Sequence, residues 1–208
     1  MSRLPFRSRS GMSGSVAGAD PHVALRGHLE GFFQGHPIDC VPGVAGPIED
    51  RVPGFRIFRI APGPRANCWT YVTSGCWAAA QHDGHGLEFA LMAPSDDHDV
   101  VHRESLTMNA YYHAGPESQR LDHGHTVPIG RPWLPGSPCD HWLISLPYPF
   151  GPDFELCTWQ NGHARLLWLL PITAAERDFK AGAGLDALED RFEHAGLDFL
   201  DPGRASLV

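Results

Sequence analysis

Leu166 to Ile172 reads LLWLLPI, a run with no polar residue in it. A strand with one face in water alternates apolar and polar side chains, so a run without a polar face must be covered on both sides. It is far short of the roughly 20 residues a membrane-spanning helix needs. Pro171, which has no N–H to donate, is expected to end the strand. Thr173 and Glu176 follow at capping-box spacing, which starts a helix directly behind it. Upstream, Asn161-Gly162 separates FELCTWQ from HARLLWLLPI and predicts a hairpin. A sheet with such a strand at its centre requires helices on both faces.

The rest of the chain supplies them. Asp20 before Pro21 is an N-cap ahead of a proline at the first helical position, and Leu25, Leu29, Phe32 and Phe33 repeat at helical spacing before Gly35. Residues 37–53 are rich in Pro and Gly and are expected to be loop. FRIFRI (55–60), NCWTYVT (67–73) and LEFALM (87–92) have strand composition. The intervening SGCWAAAQHDGHG (74–86) is expected to be loop, with Trp77 exposed or half-exposed. Ser95 is placed to cap a helix over 96–113 that Gly115-Pro116 ends. After a second Pro- and Gly-rich stretch over 130–138, HWLISLP (141–147) reads as a strand. Leu185, Leu188 and Phe192 then mark a closing helix with Gly196 as its C-cap. Helix, strands, helix, strands and helices in one pass, without an internal repeat, predict an α+β single domain. Its core is a central mixed, largely antiparallel sheet flanked by helices, over residues 21–208, behind a mobile tail of 1–20.

Composition narrows the function. The formal net charge of −8 disfavours nucleic acid, whose binding rests on clustered Lys and Arg. It suits a basic protein partner. Cys40, Cys68, Cys76, Cys139 and Cys157 are odd in number and lack paired metal-site spacing, which predicts reduced thiols and a cytoplasmic protein. No segment reads as a secretory leader or membrane span.

HDVVH (98–102) is one methylene from the H-E-x-x-H of zinc peptidases. On a helix, His98 and His102 share a face, so a metal-dependent hydrolase built on them is one alternative reading; a peptide-binding domain whose sheet edge accepts an added strand is the other. Against it, Asp99 is shorter than the usual glutamate base, and the position six beyond His102 is Met108 rather than a third ligand. Acids in a first helical turn are also expected for dipole reasons alone. HDGH (82–85) and DHGH (122–125) lie in glycine-containing loops, where polar residues also serve turn chemistry. No nucleophile elbow, phosphate-binding loop or dinucleotide fingerprint is present.

Three longer strings are more specific: LISLPYPFGPDFE (143–155), ARLLWLLPITAAERDF (164–179) and GLDALEDRFEHAGLDFLDP (184–202). With TYVTSG (70–75), LEFAL (87–91) and DHGHTV (122–127) in the same order, the chain resembles the Suppressor of fused domain family, in its single-domain bacterial type. The resemblance implies a non-catalytic protein-binding module without cofactor or metal. In bacteria it further implies an immunity protein that neutralises a polymorphic toxin; in animal relatives, capture of a peptide as an added strand. Exposed loop aromatics beside charges are the kind of residue binding hot spots are made of. On that basis Trp77, His82, Asp83 and His85 are the first expected contact surface, and Asp122, His123 and His125 the second.

Overall fold

The computed structural model describes residues 20–44, 46–80, 85–160 and 162–208, with His85 described by its backbone alone. In chain order the elements are helix α1 (Pro21–Phe32), strand β1 (Ile38–Pro42), helix α2 (Ile48–Arg51), and strands β2 (Arg56–Ile60) and β3 (Trp69–Ser74). Helix α3 (Cys76–Ala80), strand β4 (His85–Ala93) and helix α4 (Asp99–His113) follow, then strands β5 (Thr126–Pro128) and β6 (Cys139–Ser145). The chain closes with helix α5 (Pro152–Glu155), strands β7 (Leu156–Trp159) and β8 (Gly162–Thr173), and helices α6 (Ala174–Ala183) and α7 (Leu185–Ala195). Among the described residues no helix is long and apolar enough to cross a membrane.

The apolar run lies in β8, between β4 and β6, in a sheet ordered β1-β2-β3-β4-β8-β6-β5, with β7 also paired to β8. Among the described residues only the β4–β8 pair is parallel, so the sheet is mixed and largely antiparallel. Alternate side chains of β8 enter different cores. Leu167 and Leu169 pack with Phe89, Leu91, Ile144 and Leu106 of α4. On the other face Leu166 joins Phe58, Val72 and the α1 residues Leu25 and Leu29, while Trp168 and Leu170 meet Leu188 and Phe192 of α7. Both faces are thus covered, as a strand without a polar side requires.

The helix signals hold locally. Asp20 accepts from the His22 amide at 3.0 Å, and Thr173 and Glu176 form the reciprocal capping box. Glu176 does more than cap: fully buried, it receives two guanidinium nitrogens of Arg204 at 2.7 and 2.8 Å and the Leu207 amide at 3.1 Å. Burial alone would raise its carboxyl; the Arg204 hydrogen bonds overcome that and hold it below the usual carboxylate range. The carboxyl-terminal segment is pinned to the start of α6 by that pair.

Several boundaries differ from the sequence expectation. Pro171 does not end its strand: β8 continues to Thr173, with Pro171 opposite Trp142. The β4 pairing stops at Trp168, so Pro171 stands where β8 has a single neighbour, and proline is tolerated at such edges. The hairpin closes at Trp159–Gly162, which puts Gly162 in the strand rather than in the turn. Residues 37–53 carry β1 and α2, and 74–86 carry α3 and the start of β4 rather than continuous loop. Ser95 does not cap α4. It accepts from the Asp97 amide at 3.4 Å, and the helix begins at Asp99 after His98.

Candidate functional site

A recess of about 930 Å³ forms a trough between α4 and the outer strand β5. Its α4 wall stands on side chains that satisfy themselves within the helix. Ser105 donates to the Val101 carbonyl at 2.8 Å, Thr107 to Arg103 at 2.7 Å, and the Asn109 amide to Ser105 at 2.8 Å. Such back-bonding to the preceding turn lets polar residues line a helix face without a distant partner. Thr107 also accepts from the Val44 amide at 3.2 Å, which ties the 44–51 segment to the helix. Met108 and Tyr112 stand one turn apart on the same wall, 56% and 40% exposed. Asn109 is buried and its Oδ1 has no hydrogen-bond partner.

The opposite wall is β5, with Val127 and Ile129 contributing apolar surface over Trp142 and Leu121. Among the described residues β5 pairs on one side alone, with β6. Its inward groups are identifiable: the His125 carbonyl accepts from Ile144 at 2.8 Å and the Ile129 amide donates to Asp140 at 2.8 Å. Antiparallel pairing alternates, so Thr126 and Pro128 direct their backbone groups to the free edge. That edge offers one N–H, from Thr126, because Pro128 has none.

The expected site residues are distributed unevenly around this trough. His125 lines it and is exposed. Its Nδ1 accepts from the Asp122 amide at 3.1 Å, and the Asp122 carboxylate accepts from the His123 amide at 2.7 Å, so these three form one turn leading into β5. His123 points away, with Nε2 3.4 Å from Glu189 of α7.

Trp77 is not the exposed aromatic the sequence suggested. It is buried on α3, its indole N–H donating to the His163 carbonyl at 2.8 Å and its ring edge-on to Trp159 at 4.7 Å. Gly86 makes room for it, since a side chain there would collide with the indole. A buried indole with its donor spent has little to offer a partner. His82, Asp83 and the side chain of His85 lie outside the described residues.

The HDVVH string does not assemble a metal centre. His98 precedes the first helical residue, and His102 turns into the core beside Tyr71 and Trp133 at ring distances of 5.3 and 6.0 Å. Burial, with His98 adding to it, lowers the His102 imidazole to about 4. Asp99 is spent on Arg59 at 2.9 Å and Arg103 at 2.7 Å. Among the described residues no group of three His, Cys, Asp or Glu side chains is placed to hold a metal ion.

The sequence carries almost no mark of the trough. Its one local signal was the i, i+4 pair of large apolar residues, Met108 and Tyr112, on the face of α4 away from Leu106.

The family model described as Suppressor of fused protein matches residues 51–205. A crystal structure of a putative Suppressor of fused homologue from Neisseria gonorrhoeae FA 1090 is 37% identical, with a TM-score of 0.77, covering 92% of this chain and 98% of that one. The same fold recurs in the Sufu–Fu complex at 11% identity and a TM-score of 0.66, covering 91% of this chain and 93% of that one. Drosophila Suppressor of Fused is likewise 11% identical with a TM-score of 0.66, this chain covering 51% of its length. No curated protein matches the chain.

Proposed function

The chain belongs to the Suppressor of fused family, and from that premise we propose that it is a non-catalytic protein-binding domain that takes an extended segment of its partner into the trough beside β5. The observation that carries this reading is the edge of β5, unpaired among the described residues, beside a recess walled by exposed Met108 and Tyr112. An added strand gains main-chain hydrogen bonds from such an edge, and alternate side chains find the recess. A relative with this fold is known in complex with a protein, Fu. The HDVVH string offers hydrolysis little: His102 is buried and Asp99 is held by two arginines.

Thr126→Pro tests this reading. It removes the one outward N–H of β5 without touching an inward ladder bond. Binding of the native partner, captured by pull-down and measured by calorimetry, is expected to weaken about tenfold or more, for the loss of a bond near 1.5 kcal/mol plus strand fit. Unchanged affinity with an unchanged melting temperature refutes strand capture.

Within this reading, a bacterial toxin domain is the partner class we favour, the protein then serving as its immunity protein. Support comes from the resemblance to the bacterial single-domain type. A net charge of −8 also suits a basic toxin surface away from the trough. If this is correct, the gene has a toxin gene as its neighbour and co-expression with that toxin restores growth; no such neighbour, or persistent toxicity, removes it.

A further inference from the structure

We propose that the segment held in the trough is acidic: an extended stretch carrying Asp or Glu beside its apolar anchors. The inference rests on the strand-capture reading and adds the chemistry of the occupant. In a chain of net charge −8, the trough has the opposite sign. Arg51, Arg120, Arg131 and Lys180 line it, and Glu104 is the one carboxylate among the lining residues.

Most of that positive charge is not neutralised locally. Among the described residues, Arg131 alone of the four meets a carboxylate, Glu104, at 2.6 Å. Arg51 lies 3.7 Å over the Tyr111 ring and donates to the Tyr111 carbonyl at 2.8 Å, contacts that fix its position and leave its charge standing. Arg120 donates to the Ala80 carbonyl, and its Nε is buried without an acceptor. Lys180, half-buried at the α6 side, has no carboxylate within ion-pair distance among the described residues.

Three cations without an ion-pair partner among the described residues, around a concave, partly apolar recess, focus a positive potential into it. A basic segment laid there meets like charge at close range, and such juxtaposition is a strong filter against wrong partners. Guanidinium groups already oriented by a ring or a carbonyl lose little entropy on meeting a carboxylate. Alternation in an extended segment lets apolar side chains reach Met108, Tyr112, Val127 and Ile129 while intervening carboxylates face the cations. The basic partner expected from net charge therefore does not fit this surface.

The experiment uses the full chain and three fluorescein-labelled peptides of about seven residues. They share alternating Val and Tyr and differ in the intervening residue, Glu, Gln or Lys. By fluorescence anisotropy the Glu peptide is expected to bind about tenfold tighter than the Lys peptide, and the gap to close on raising salt from about 0.05 to about 0.5 M. Lys180→Glu, at a side chain without a structural bond, is expected to weaken the Glu peptide several-fold. Thr126→Pro is expected to weaken all three peptides.

Equal or tighter binding of the Lys peptide overturns the charge assignment and leaves strand capture standing. So does a Glu preference that neither salt nor Lys180→Glu moves. Failure of all three peptides to bind overturns strand capture and the charge assignment together. Self-association that is abolished by Thr126→Pro makes a second copy the occupant and also overturns the proposal.

Discussion

Two buried histidines face into the core. His102 sits beside Tyr71 and Trp133, and His113 is edge-on to Phe89 at 5.4 Å with Nδ1 accepting from the Leu121 amide. Burial lowers both to about 4 from a usual 6.5, with nearby Arg120 also acting against a charged His113. Because the folded state holds both rings neutral, the unfolded chain binds more protons below pH 6.5. Their contribution is complete above that pH and is lost as pH falls toward 4. Each histidine costs at most about 1.4 kcal/mol per pH unit in that window. Urea unfolding from pH 7 to 4 is therefore expected to show stability falling before the carboxylates titrate, and His102→Leu to flatten part of the slope. A pH-independent midpoint between 6.5 and 5 contradicts the burial argument.

Glu88 is the other residue whose role depends on distant neighbours. The one charged residue of LEFAL, it is buried and accepts from Thr73 Oγ1 at 2.6 Å and from the Gly75, Cys76 and Trp77 amides at 2.9, 3.3 and 3.1 Å. Those bonds hold the turn from β3 into α3, where Gly75 has φ 120°. Burial raises its carboxyl, against the pull of the hydrogen bonds. Nothing in the local sequence distinguishes it from an exposed strand glutamate.

Among the elements, α6 shows how local and distant causes combine. Its capping box was readable from Thr173 and Glu176, since both groups lie within one turn. The Arg204 pair was not, because 28 residues of chain separate the partners. Arg204→Met leaves a buried carboxylate without its counter-charge, and denaturant unfolding is expected to show a loss of about 3–5 kcal/mol. Adding Glu176→Gln to it is expected to recover part of the loss; no recovery places the effect in packing instead. As the groups holding Glu176 depress its carboxyl, the pair stabilises at neutral pH. That contribution is lost as pH drops below the ordinary carboxylate range, around 4.5.

In the whole molecule, β8 and β4 join all three cores, so their loss is felt everywhere. Leu167 is fully buried among Phe89, Leu91 and Leu106. Leu167→Ala is expected to destabilise by about 2–5 kcal/mol, measured by urea titration. Hydrogen exchange is expected to rank β4 and β8 amides slowest and the β5 edge fastest among strands. A β5 edge as protected as β8 in the free protein argues that the trough is already filled.

Chain order alone settled the α+β class, the helices that open and close the chain of elements and the doubly covered β8, because hydrophobic period and capping act over a few residues. The strings at 143–155, 164–179 and 184–202 likewise carried the family. Folding decided the rest. It buried Trp77 and His102, carried β8 past Pro171, and gathered Arg51, Arg120, Arg131 and Lys180 from four segments around one trough. The physical reason is range: exposure, charge focusing and buried ion pairs depend on which distant segments meet, and neighbouring residues carry no record of that.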